Sequence, residues 1–201
     1  MSLFELKINN KKGLFILLVS FFSIFFCTKI AFSATEHEEL EPTISDVNIF
    51  EKNHALYLSF YLRNGMPKYI EKVIKSGISV RYFFNIVLKK NGFLWDDELL
   101  SLEIKKTITF DNLKNKYFIF QNYPSSKILT IREIEKAKRY LLSVKGLKLI
   151  PLKKLFKKGR YRIEIKARCE KEKISLPFSK LIKLFSSFGF STKTYEFEFT
   201  Y

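Results

Sequence analysis

Over residues 78–89 the chain alternates without a break. Ile78, Val80, Tyr82, Phe84, Ile86 and Leu88 take one phase, and Ser79, Arg81, Phe83, Asn85, Val87 and Lys89 the other. A period of two over this length fits extended backbone, where successive side chains leave on opposite faces. Both phases carry apolar residues, so this strand belongs in the middle of a sheet. The same period returns in Leu56, Leu58, Phe60 and Leu62, in Tyr161, Ile163, Ile165 and Ala167, and in Tyr195, Phe197 and Phe199. There the second phase is mostly polar, which marks antiparallel strands with one wet face. Turn signals separate the runs: Asn53, Asn64-Gly65, Asn91-Gly92 and Asp111-Asn112. Asn91-Gly92 reads as a tight hairpin turn, with the next strand starting near Phe93.

Helical spacing is rarer. Met66-Pro67 opens a short helix over about residues 67–75, with Ile70, Val73 and Ile74 on one face and Gly77 as its stop. Thr130 with Glu133 reads as a capping box. It starts a helix whose stripe is Ile131, Ile134, Ala137, Tyr140, Leu141 and Val144, ended by Gly146. Phe178, Leu181, Ile182, Leu184 and Phe185 form a third short helix or a loop cover. The expected fold class is mainly β. It is an antiparallel β-sandwich-like domain of about seven to eight strands, with two or three short helices in the crossovers.

The first 33 residues stand outside this pattern. Lys7, Lys11 and Lys12 precede an apolar run over residues 14–27, and Ala31-Phe32-Ser33 offers small residues at a cleavage site. This is the layout of a secretory signal peptide. The run has 14 residues, short of the roughly 20 needed to span a bilayer. The alternative is an uncleaved inner-membrane anchor. Residues 34–43 form an acidic lead-in, and residues 44–201 a single β-rich domain. The expected consequence is export.

Composition narrows the chemistry. The chain has two His and two Cys. That is too few for a His₃ or Cys₄ zinc site, and no cofactor motif is present. His37 sits in the acidic lead-in and His54 at a turn, so neither stands in a nucleophile's setting. Cys169 reads as a small core residue. Asp96-Asp97-Glu98 is a solvated turn. No catalytic residue, cofactor or metal is expected, and an enzyme without a recognisable motif is the third-ranked reading.

Charge is the strongest functional signal. The formal net charge is +16, of which +13 lies beyond residue 33. Residues 145–168 contain ten Lys and Arg against Glu164 alone. Lys148, Lys153, Lys154, Phe156, Lys157, Lys158 and Arg160 are the expected contact residues for anionic lipid or an acidic partner. Leu152 and Leu155 are expected to join Phe156 as an exposed apolar foot. Trp95 reads first as a residue packed at a sheet edge and second, with Asp96, as the candidate anchor of a pocket. Nucleic acid is not expected, because the aromatics fall on core-facing positions and export removes the chain from it. The leading function is a non-enzymatic binding or accessory module. The alternative is a carrier of a hydrophobic ligand in an aromatic-lined cavity.

Several landmarks resemble an exported bacterial family, domain-of-unknown-function family 4390. They are Gly77-Ile78-Ser79-Val80, Trp95-Asp96, Tyr117, the Ile131…Ala137…Leu141 run, Gly159-Arg160-Tyr161 and Leu176-Pro177-Phe178. Their order and spacing over residues 44–201 carry the resemblance. The chain departs from it near the end, with Phe185, Phe197 and Phe199 where members tend to have Trp. The resemblance implies an exported protein of the periplasm or cell envelope of a Gram-negative bacterium, and assigns no activity. It also implies a partner, an envelope or inner-membrane protein such as a sensor kinase, whose gene neighbours the family's.

Overall fold

The computed structural model describes residues 40–171 and 188–201. Among them are ten strands and two α-helices: β1 Thr43–Lys52, β2 Ala55–Arg63, α1 Lys68–Lys75, β3 Val80–Lys90, β4 Asp97–Asp111, β5 Lys116–Gln121, β6 Lys127–Ile131, α2 Ile134–Leu142, β7 Ser143–Pro151, β8 Arg160–Lys171, β9 Phe190–Ser191 and β10 Tyr195–Thr200. Every pairing is antiparallel. One sheet runs β1-β2-β7, the other β10-β8-β3-β4-β5-β6, with β9 also paired to β8. The fold is mainly β and sandwich-like, and β3 is a central strand flanked by β4 and β8.

The alternating phases explain the core. Leu58, Phe60 and Leu62 of β2 are buried, as are Tyr82, Phe84, Ile86 and Leu88 of β3 and Tyr161, Ile163 and Ile165 of β8. The Phe60 and Phe84 rings, from the two sheets, meet edge to face with centroids 5.7 Å apart. Tyr82 carries its hydroxyl inward and donates it to the Gly65 carbonyl at 2.9 Å, which satisfies a polar group that would otherwise be costly to bury. Helix α1 ends as expected. Gly77 takes a φ of +86°, its N–H reaches the Ile74 carbonyl, and the Ile78 N–H reaches Val73. These two bonds make a Schellman cap.

Three local readings change. Thr130 is no helix cap: it pairs with Phe118 inside β6. Helix α2 begins after Glu133, which makes no side-chain cap bond. Gly146 does not stop α2 either. The helix passes into β7 at Ser143 without a connecting residue. Gly146, at φ +58°, sits in a bulge, because Val144 pairs with Phe60 and Leu147 with Leu58. One extra residue on β7 is thereby absorbed. Third, residues 91–96 form a longer loop and β4 starts at Asp97, not near Phe93. The strands beyond the expected seven or eight include the short β6 and β9 and the misread β7. The expected helix at residues 178–185 and the leader lie outside the described residues.

Candidate functional site

Four chain segments meet at one end of the two sheets. The β1–β2 turn is Asn53-His54, both at positive φ, with Lys52 opposite Ala55. A two-residue turn of this kind matches the twist of the strands it joins. Its His54 carbonyl accepts the Leu152 N–H at 3.0 Å. That bond ties it to the β7–β8 connection, residues 152–159. The β3–β4 loop joins the same end, where the Asn91 N–H reaches the Arg160 carbonyl at 2.9 Å. Tyr201 closes the set through its N–H to the Gly159 carbonyl at 3.1 Å.

The basic connection is built on two roots. Leu152 and Leu155 are buried in the core, so they are not the exposed apolar foot that the sequence suggested. Leu147, Leu149 and Ile150 are buried as well. What they leave outside is Lys153, Lys154, Phe156, Lys157, Lys158 and Arg160, all lying at the surface. Phe156 is held although 62% exposed. Its N–H donates to the buried Tyr161 hydroxyl at 2.6 Å. Lys90 Nζ lies 4.0 Å from its ring centroid. Gly159 permits this geometry, since a Cβ there would stand 2.7 Å from the Tyr161 hydroxyl. Lys148 is exposed on β7 opposite Tyr57, three residues short of the connection.

Beside this turn the β3–β4 loop presents Phe93, Leu94 and Trp95, all strongly exposed, Trp95 at 77%. Among the described residues Trp95 is therefore neither packed at a sheet edge nor set in a pocket. Its neighbour Asp96 instead pairs with Arg162 on β8, and Arg162 continues to Glu164, which bonds Lys89 at 2.7 Å. The loop is thus pinned at its base while its apolar tip faces solvent. Gly92 is required there, because a Cβ would lie 1.9 Å from the Trp95 carbonyl oxygen. Asp97 and Glu98 are exposed on the β4 side, so the positive charge concentrates on the β7–β8 side. Sequence reasoning missed Phe93, Leu94 and Lys90. The available signal was the run Phe93-Leu94-Trp95 directly after Asn-Gly, which cannot alternate.

At the other end of the sheets lies a cleft of about 230 Å³, lined by Lys106, Gln121, Lys127, Tyr140, Ser143 and Lys145 among others. Its lining sets Tyr123 and Tyr140 beside three lysines, unlike the Phe- and Tyr-rich cavity expected of a hydrophobic carrier; Phe84, Tyr82 and Phe60 fill the core instead. Lys106 stands on the apolar phase of β4, between Ile104 and Ile108, and is 3% exposed. Its ammonium donates to the carbonyls of Tyr140 and Ser143 at 2.7 and 2.5 Å, just where α2 ends. Burial, and next the charge of Lys127, push its amine down to about 7; the two carbonyls pull the other way. A lysine in an apolar register was the visible clue to it.

Among the described residues no helix is long and apolar enough to cross a membrane. Comparison with curated proteins and with solved structures finds no significant match. A family model does match, over residues 40–198, and by it the chain belongs to the family described as domain of unknown function (DUF4390).

Proposed function

We propose that this protein is a non-enzymatic docking module of the bacterial envelope, whose basic, aromatic-tipped end rests on an anionic phospholipid surface. The observation that carries the reading is the meeting of two features far apart in sequence. Phe93, Leu94 and Trp95 are exposed at the same end as Lys153, Lys154, Lys157, Lys158 and Arg160. Each lysine or arginine near an anionic surface contributes about 1 kcal/mol. Trp and Phe favour the headgroup boundary. Among the described residues these large apolar side chains pack against nothing that would explain their place on a loop pinned at its base. The export signal expected at the N-terminus supports the envelope location. An inner-membrane protein such as a sensor kinase is the protein partner that this docking would bring within reach.

The chain contains one Trp, and it lies at the tip, so the protein carries its own reporter. On vesicles of phosphatidylcholine with phosphatidylglycerol, the protein without residues 1–33 should show a blue shift of Trp95 emission that salt weakens. Reversing Lys153, Lys154, Lys157 and Lys158 to Glu should remove the shift. Replacing Phe93 and Leu94 by Ser should weaken binding while leaving its salt dependence. An emission maximum indifferent to anionic vesicles would end the proposal.

A further inference from the structure

The lysine-lined cleft is a second candidate site, separate from the aromatic end. Lys106 pairs with Tyr82, eight positions along β3 from Lys90. At about 3.3 Å per residue this puts the cleft about 26 Å from the tip. Three lysines line it, Lys106, Lys127 and Lys145, and none of its lining residues is acidic. None of the three forms an ion pair among the described residues. Lys106 has three protons when charged. Two go to the Tyr140 and Ser143 carbonyls, and the third has no oxygen partner among the described residues.

The rest of the lining suits a bound organic anion. The Tyr140 ring lies 4.7 Å from Lys106 Nζ and 5.3 Å from Lys127 Nζ, so both cations lean on one aromatic wall. The Tyr140 hydroxyl donates to Gln121 Oε1 at 2.9 Å, and the Gln121 amide in turn donates to the Tyr123 carbonyl. The wall is thereby fixed without using the lysines. Ile104, Pro124, Val144 and Leu147 supply apolar surface on the remaining sides.

We infer that this cleft binds a small soluble molecule bearing a phosphate group. Lysine acts as a point charge toward phosphate, whereas planar carboxylate recognition favours the arginine fork. No arginine lines the cleft. A dianion matches a cleft lined by three lysines and no acid better than a monoanion does. It also relieves a buried ammonium that is otherwise destabilised by burial and by a like charge. The distance from the aromatic end favours a soluble source over a headgroup of the docked membrane.

The test is calorimetric titration of the full chain with glycerol phosphate, inorganic phosphate and acetate at constant ionic strength. Glycerol phosphate should bind saturably with a Kd of about 1 mM or tighter, and acetate far more weakly. Lys127→Met and Lys145→Met, both at exposed positions, should each weaken binding about fivefold, the worth of one solvent-facing charge contact. Lys153→Met, at the other end, should bind as the parent does. Absence of saturable binding, equal binding of acetate, or full binding by both cleft variants would overturn the assignment. Tighter binding of a short-chain phosphatidic acid than of glycerol phosphate would overturn the soluble source.

Discussion

At Lys106 the alternation of β4 puts an amine where Ile104 and Ile108 call for a third aliphatic residue. Its folded value of about 7 lies below the ordinary 10.5. The unfolded chain therefore holds an extra proton between those values, and this group's contribution to stability rises with pH across that window. Below about 7 both states are charged and the full penalty of burial applies. Lys106→Met removes the titration together with the two carbonyl contacts. The melting temperature of the parent relative to the variant should climb from pH 6 to pH 10, and a constant difference would sink the argument. Cys169 behaves in the opposite sense. Burial holds its thiol up to about 12, far from the thiolate needed for reaction. In the protein without residues 1–33, where Cys169 is the one thiol, Ellman's reagent should label the native state only as fast as the core opens, and the denatured state at once. The phase of Lys106 and the apolar setting of Cys169 are both legible in the sequence. The carbonyls that hold Lys106 are not, since they come from α2 and β7.

The elements follow local rules where one signal stands alone, and escape them where two overlap. The spacing of Ile70, Val73 and Ile74 before Gly77 admits one structure, and α1 adopts it. Residues 130–147 admit two. Leu141, Val144 and Leu147 continue a helical stripe, yet Val144 and Leu147 also fit a strand interrupted by one extra residue. Pairing of β7 with β2 decides between them, since it buries Val144, Leu147 and Leu149 against the second sheet and satisfies the backbone. Gly146 allows that solution. No atom of the described residues would approach within 4 Å of a Cβ there, so among them a substitution strains the backbone alone. Gly146→Ala should destabilise the protein by about 1 kcal/mol, read as a lower urea midpoint at unchanged slope. Gly146→Asn, a residue that tolerates this conformation, should recover most of the loss. The two helices are also tied to each other. Glu71 of α1 bonds Lys138 of α2 and Lys75 of its own helix, both at 2.8 Å, and these bonds, that to Lys138 first, hold its carboxyl below the usual range.

Across the whole molecule, stability rests on the facing apolar phases of two unequal sheets. Phe84→Ala removes a fully buried ring that meets Phe60 from the opposite sheet. It should destabilise the fold by about 3–5 kcal/mol in chemical denaturation. A loss below about 1 kcal/mol would show that the interface is not packed as described. The sequence by itself determined the fold class, the central place of β3, the buried phase of each long strand and the basic character of residues 145–168. Each of these is written in residues close together, through a period, a cap or a charge run. Strand order was decided by the tertiary structure, as was the fate of Leu152 and Leu155 as roots. So was the gathering of residues near 54, 95, 156 and 201 at one end, and of Lys106, Lys127 and Lys145 around one cleft. Those depend on which strands pair across long stretches of chain, and pairing is chosen by burial summed over both sheets, a quantity no local window contains.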